Sequence, residues 1–455
     1  MLVRDHKISF QFKDTMNIIS NINPRAYRFS KIILVITILI NQLTAEKSHC
    51  SGQANNSPDP YENQVNDENI KTVLLFREGS DLTLPVINLN SGDRLELHFD
   101  DLSPQQRSFS YTLIHCNRLW LPSPMEQQEY LDGYGSGRIE KVTPSFNTTC
   151  DYFHYSLTFP AEEAMPRISG NYALVVYENN DPENLILVRQ FYVTESLVTL
   201  DATVRQPSGE KYATGQEIEF SIGHEGYSIL NPSGDLSIRV RQNGNSRSDQ
   251  IIIKPRFVGP AVISYGGNDE IVFNGGNEFR YFDIKSMKYE AEHIARIDFQ
   301  PPYYHVFLKN AEPRAYDPYF TQQDLNGRFY IEKERSEDRH TEADYVKVHF
   351  LMNAQIPYTD GEIYIAGELS DWLLTDPYRM VYDSEHRQYE KVLLLKQGYY
   401  NYLFAYLPEG SKKPDPGYLE GNHFETLNEY AFFVYHYDSS WDYDRLIAVK
   451  QIQSR

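Results

Sequence analysis

From Lys71 onward the chain is written in short alternating segments, each ended by Gly, Pro, Asn or Asp. Nowhere does a long stretch carry apolar residues at helical spacing. A side-chain period of two sends successive residues to opposite faces, so each segment can bury one face in a core. Many such segments at close spacing fold as stacked sheets. The 35 tyrosines and 24 phenylalanines of the 455 residues fit this reading, because aromatic side chains suit half-buried pleated surfaces. The expected class is all-β, with three tandem immunoglobulin-like β-sandwiches, in line with a length prior of about three domains.

The first unit is expected over 69–194, with strands near 72–77, 94–99, 109–116, 151–159, 170–177 and 185–193. Residues 172–177 (YALVVY) are nearly all apolar and suit a strand covered on both faces. A second sandwich is expected over 195–312, with strands near 197–205, 217–222, 236–242 and 298–308. Its Gly275-Gly276 pair reads as a tight turn or bulge. Residues 313–344 read as a connector whose charge run, 332–342, faces solvent. The third unit, 345–455, has the clearest pattern. Tyr400, Tyr402, Phe404 and Tyr406 recur at even spacing and share one face.

The N-terminal region carries an address. Residues 32–40 (IILVITILI) form an apolar run preceded by Arg25, Arg28 and Lys31 and followed by Ala45. The run is about half of the ~18 residues a spanning helix needs. It reads as a signal peptide over 1–45, with Met16 as an alternative start and export across the inner membrane implied. Lipidation at Cys50 is the less favoured alternative, since Lys47, Ser48 and His49 make a poor site. Residues 46–68, rich in Ser, Asn, Pro, Asp and Glu, read as a short disordered linker. No other run is long enough to span a membrane as a helix, so the mature chain is expected to have no transmembrane segment. Cys116 and Cys150 can form one disulfide or stay as two buried thiols.

Charge and motifs exclude several functions. The net charge of −20 repels phosphate backbones, so nucleic acid is not an expected partner. The chain has no phosphate-binding loop, dinucleotide fingerprint, nucleophile elbow or zinc-spaced Cys/His set. Asp100 and Asp101 are adjacent, so on a strand they point apart and do not form a catalytic pair. No catalytic residue, metal site or cofactor is assigned, and an enzyme is not expected. A hydrolase built on carboxylates scattered along the chain would show as paired acids in a deep cleft.

Two resemblances sharpen this picture. Residues 367–372 (GELSDW) and 398–404 (GYYNYLF) resemble paired motifs of early-set immunoglobulin domains related to glycogen-binding modules, with Leu369 in place of the usual Phe. That resemblance implies a cell-envelope glycan-binding alternative. Trp372 would be the stacking platform, with Lys396 and Asn401 as hydrogen-bonding partners beside the Tyr400/Tyr402 strand.

Nine blocks in order resemble the type IX secretion system plug proteins of the Bacteroidetes lineage. They are 110–117 (SYTLIHCN), 129–134 (EYLDGY), 145–149 (SFNTT), 157–160 (LTFP), 275–286 (GGNEFRYFDIKS), 324–331 (DLNGRFYI), 341–346 (TEADYV), 396–402 (KQGYYNY) and 420–426 (EGNHFET). The resemblance implies a non-enzymatic periplasmic protein, peripherally bound at the outer membrane. It would close the periplasmic mouth of a giant β-barrel translocon when cargo is absent. Contacts with the barrel are expected in the loops 129–137 and 275–280, with Tyr130, Tyr134, Phe279 and Arg280 as anchors.

Overall fold

The computed structural model describes residues 61–455. The signal-peptide reading and residues 46–60 of the expected linker lie outside the described residues. The rest of that linker is strand-forming: Gln64–Val65 pairs antiparallel with Leu187 and Val188. Among the described residues no helix is long and apolar enough to cross a membrane.

Among the described residues, six larger antiparallel-dominated sheets pair into three sandwiches, as the alternation requires, and a two-stranded ribbon joins Leu131–Gly133 to Ala164–Pro166. In the first, Phe109–Cys116, Gly170–Glu178 and Leu185–Thr194 form the centre of one sheet. Ile70–Arg77, Leu95–Asp101 and Phe153–Phe159 form the other, edged by Lys141–Pro144. Leu95, Leu97 and Phe99 point inward at every second position, onto Phe109, Tyr155 and Phe191. The apolar strand 170–178 is covered on both faces. Tyr172, Leu174 and Val176 enter the sandwich core, while Ala173, Val175 and Tyr177 pack outward.

The second sandwich is not contiguous in sequence. One of its sheets holds Thr199–Arg205, Gly215–Gly223 and Val262–Tyr265. The other pairs Leu236–Gln242 with the C-terminal hairpin Glu429–Asp438 and Tyr443–Gln453. The expected boundaries at 312 and 345 therefore do not divide sandwiches. Residues 195–274 and 429–453 build one, and the segment between them, from Arg280 to Leu419, builds the third.

The third sandwich also absorbs the connector. Gly398–Pro408 pairs with Arg280–Asp283, with Gly361–Ala366 and with Phe329–Ile331 inside 313–344. The charge run 332–342 is not wholly solvated. It carries the short helix Arg339–Glu342, in which Thr341 is buried. The single strand expected at 298–308 is a hairpin, Ile294–Gln300 and Tyr303–Leu308, broken at Pro301-Pro302. Proline has no N–H to give the ladder, so paired prolines mark a turn. Tyr400, Tyr402, Phe404 and Tyr406 do share a face, and it is the core face.

Cys116 and Cys150, read as either one disulfide or two buried thiols, are not bridged, and Cys150 is only half-buried. Cys116 is buried beside Trp120, whereas Cys150 sits in a turn with its Sγ 3.8 Å from the Tyr303 hydroxyl.

The chain leaves the second sandwich at Gly275-Gly276 and returns beside it at 421–428. These two passages are cross-braced. His423 N and Thr426 Oγ1 donate to Gly276 O at 2.8 and 2.9 Å, and Asn428 Nδ2 donates to Gly275 O at 2.7 Å. A Cβ on Gly275 would lie 2.0 Å from the His423 carbonyl oxygen, a backbone atom that cannot swing away. Gly275→Ala is expected to cost about 1–3 kcal/mol through forced backbone displacement. Chemical denaturation measures this, and an unchanged midpoint would show that the two passages are not held in contact.

Candidate functional site

The strongest polar constellation lies where the first sandwich meets the third. Asp100 is the penultimate residue of the strand Leu95–Asp101, and Lys396 ends the strand Gln388–Lys396. Both side chains are about 1% exposed, and Lys396 Nζ lies 2.6 Å from Asp100 Oδ2. The Tyr345 hydroxyl donates to the same oxygen at 2.6 Å, and His154 Nδ1 lies 2.7 Å from Asp100 Oδ1. Lys396 also donates to the His340 carbonyl at 2.6 Å and stands 4.2 Å from the centre of the Tyr152 ring.

Burial alone would raise the Asp100 carboxyl. The Lys396 ammonium and the His154 ring outweigh it and hold the group below its ordinary value. Burial pulls Lys396 down, against the raising effect of Asp100. Such a pair is held because both carboxylate oxygens and the ammonium have hydrogen-bond partners. Asp101 points the other way, as the strand period demands, and takes Arg107 Nε at 2.7 Å. Next to this pair, Asp344 accepts from Thr149 N at 3.0 Å, and Tyr152 donates to Ala343 O at 2.7 Å.

A second polar contact joins the same two sandwiches. Arg189, buried on the strand Leu185–Thr194, lies 3.1 Å from Asp371 Oδ2 in the loop before Trp372. Nearby, Glu368 accepts from Phe329 N at 3.2 Å. Desolvation pushes the Glu368 carboxyl up to about 7, against the pull of the Arg328 and Arg189 guanidinium groups.

Most of the anchors expected from sequence lie in cores. Tyr130 and Phe279 are 7% and 5% exposed. Arg280 is ion-paired to Glu420 at 3.0 Å and lies over the Phe404 ring. Tyr134 alone of the four is exposed, at 89%. It sits between Gly133 and Gly135, both at positive φ, in a loop that is held firmly. Gly135 N donates to Glu163 O at 2.8 Å, and Thr112 Oγ1 and Gln127 Nε2 donate to Gly135 O. On the same sandwich Phe146 is 70% exposed.

The glycan alternative loses its binding groups. Lys396 is consumed by Asp100, and Asn401 is fully buried with its side-chain oxygen accepting from Leu325 N. Tyr400 and Tyr402 are core residues. Trp372 is half-buried, with its ring edge-on to Phe279 at 5.9 Å and pressed on Gly327.

Trp372 also lines a cleft of about 340 Å³ between the second and third sandwiches, with Leu374, Leu403, Arg247 and Lys413. Among the described residues Glu420 is the one carboxylate lining it, and Arg280 and Arg314 hold that group at 3.0 and 2.6 Å. The cleft therefore lacks the paired acids that a glycosidase needs.

Two outcomes follow from this geometry. Lys396→Met leaves Asp100 buried without its cation and is expected to destabilise the chain by about 3–5 kcal/mol. Adding Asp100→Asn should recover part of that loss, and denaturant titration of Lys396→Met, Asp100→Asn and the double variant checks the coupling. Glu368, raised in the folded state, contributes stability that is full below its unfolded value of 4.5 and lost as pH rises through about 7. Glu368→Gln should flatten stability across that window, as read from thermal melts at stepped pH.

Comparison with known proteins fits this architecture. Residues 70–195 match the family model described as the type 9 secretion system plug protein 1st domain. The chain is similar to a hypothetical protein from Parabacteroides merdae whose crystal structure is known, with 34% identity and a TM-score of 0.83. That similarity covers 86% of this chain and 99% of the other. A biofilm-associated protein BSP domain, at 9% identity, a TM-score of 0.17 and coverage of 88% of this chain and 61% of that one, carries no argument. No curated protein matches the chain. The chain thus belongs to one family with the Parabacteroides merdae protein and carries the first domain of the type 9 secretion system plug proteins.

Proposed function

We propose that this protein is a non-enzymatic stopper that binds the periplasmic opening of the outer-membrane type IX translocon and closes it while no cargo passes. The plug first-domain match over 70–195 is the observation that carries this reading. A stopper must keep its shape while its contact with the barrel forms and breaks. Three sandwiches fastened by buried ion pairs and by a shared hairpin support that role.

The contact surface is assigned to the rim of the first sandwich around Tyr134. An aromatic ring held out by a rigid loop costs little ordering entropy on binding, which is the character of an interface anchor. Tyr130, Phe279 and Arg280 have no part in this surface, since their side chains are committed inside the fold.

Affinity purification of this chain from native outer membranes should bring down the giant β-barrel, and deleting the gene should make the membrane leaky to large antibiotics. Unchanged permeability together with no barrel in the purified complex would refute the proposal. Within it, Tyr134→Ala should weaken barrel capture by about tenfold or more, as an anchor residue does, without changing the melting temperature.

A further inference from the structure

Three imidazoles face one another beside the Asp100–Lys396 pair. His98 and His154 project from neighbouring strands of the first sandwich, and His340 comes from the one-turn helix Arg339–Glu342. The His98 ring stacks on His340 at 4.4 Å and on His154 at 5.2 Å, and His154 lies 5.0 Å from His340. One ring nitrogen of each lies within 4.8 Å of the other two.

The proton inventory of this cluster leaves a lone pair over. His154 Nδ1 faces the Asp100 carboxylate, which only accepts, so that nitrogen carries the proton and Nε2 of neutral His154 is a lone pair. His98 Nδ1, 3.0 Å from His154 Nε2, must then be the donor. His98 Nε2 is left as a second lone pair, and it is buried with no hydrogen-bond partner. An orphaned buried acceptor is costly unless something else engages it.

We propose that His98, His154 and His340 form a binding site for a divalent transition metal ion of the Zn²⁺ class, which fastens the first sandwich to the segment that opens the third. Imidazole donors select Zn²⁺, Ni²⁺ or Cu²⁺ over Ca²⁺ and Mg²⁺. Asp100 stands behind His154 as the carboxylate that fixes its tautomer, and Lys396 and Tyr345 fix Asp100 in turn, the outer-shell arrangement that metal-binding histidines use. A fourth position falls to water or to Glu96, whose Oε2 is 3.7 Å from His98 Nε2. Ligands at about 2.0–2.1 Å in tetrahedral geometry stand roughly 3.3 Å apart with their lone pairs in the ring planes, so ion binding replaces the His98–His154 hydrogen bond and turns the His340 ring out of its stack on His98. The short His340 helix is the element that makes that turn.

The test uses the full chain, stripped with chelator, and Zn²⁺ alone. Calorimetry should show one ion bound at this site with micromolar or tighter affinity. His340→Ala should weaken it at least tenfold, while His386→Ala, which removes the exposed Asp383/His386/Glu390 group, should leave it unchanged. X-ray absorption of the wild-type zinc complex should count three imidazole nitrogens and no sulfur, a readout that stands even if His340→Ala misfolds. Absence of binding, binding that survives His340→Ala in a folded chain, binding lost with His386→Ala, or a sulfur-containing shell would each overturn the proposal.

Discussion

The C-terminal hairpin is buried on both faces, and the arrangement of the first two sandwiches depends on it. Along Glu429–Asp438, Tyr430, Phe432 and Val434 enter the core of the second sandwich. The residues between them, Ala431, Phe433 and Tyr435, pack against Trp120, Ala173, Val175 and Tyr192 of the first. The strict period of two thus serves two cores at once. Each large side chain buried this way stabilises by about 1.5–3 kcal/mol. Polar contacts set the register of the two layers: Tyr435 donates to Asn171 Oδ1 at 2.7 Å, and Arg445 Nη2 pairs with Glu195 at 2.6 Å.

The fastening of the first sandwich to the third is of another kind. It includes the charge pairs Lys396 on Asp100 and Arg189 on Asp371, beside the neutral hydrogen bond from Tyr152 to Ala343 and the packing of Leu74 on the third core. The charge pairs add little net stability relative to apolar packing, but they tolerate only one relative position. That is a useful division for a protein proposed to act by holding a shape. Apolar stacking supplies strength at one junction, and charge pairing supplies alignment at the other.

Strands were legible in the sequence because a half-buried pleat imposes its own alternation. The edges of 109–116 and 236–242 coincide with the structure, and the doubly covered strand at 170–178 announced itself by its unbroken apolar run. Sandwich membership was not legible. Leu236–Gln242 pairs with residues almost two hundred positions away, and no local pattern encodes a partner at that range. Lys396 misled for the same reason. It reads as a hydrogen-bonding partner beside the Tyr400/Tyr402 strand, and only Asp100, brought from another unit, accounts for its burial. Tyr130 and Phe279, read as anchors near loop glycines, have their rings buried. Tyr134, flanked by Gly133 and Gly135 at positive φ, is exposed.

The crossing at Gly275 and Asn428 has a consequence for how the molecule is assembled. The third sandwich is nested within the second, so the strands that complete the second begin as the ends of a very long loop. Closing such a loop is entropically unfavourable, and folds dominated by distant pairings form slowly. Once the inner sandwich has formed, its two ends stand side by side and that cost has already been met. Assembly therefore proceeds from the inside outward, and a lesion in the inner sandwich delays the outer one even where the two share no side-chain contact.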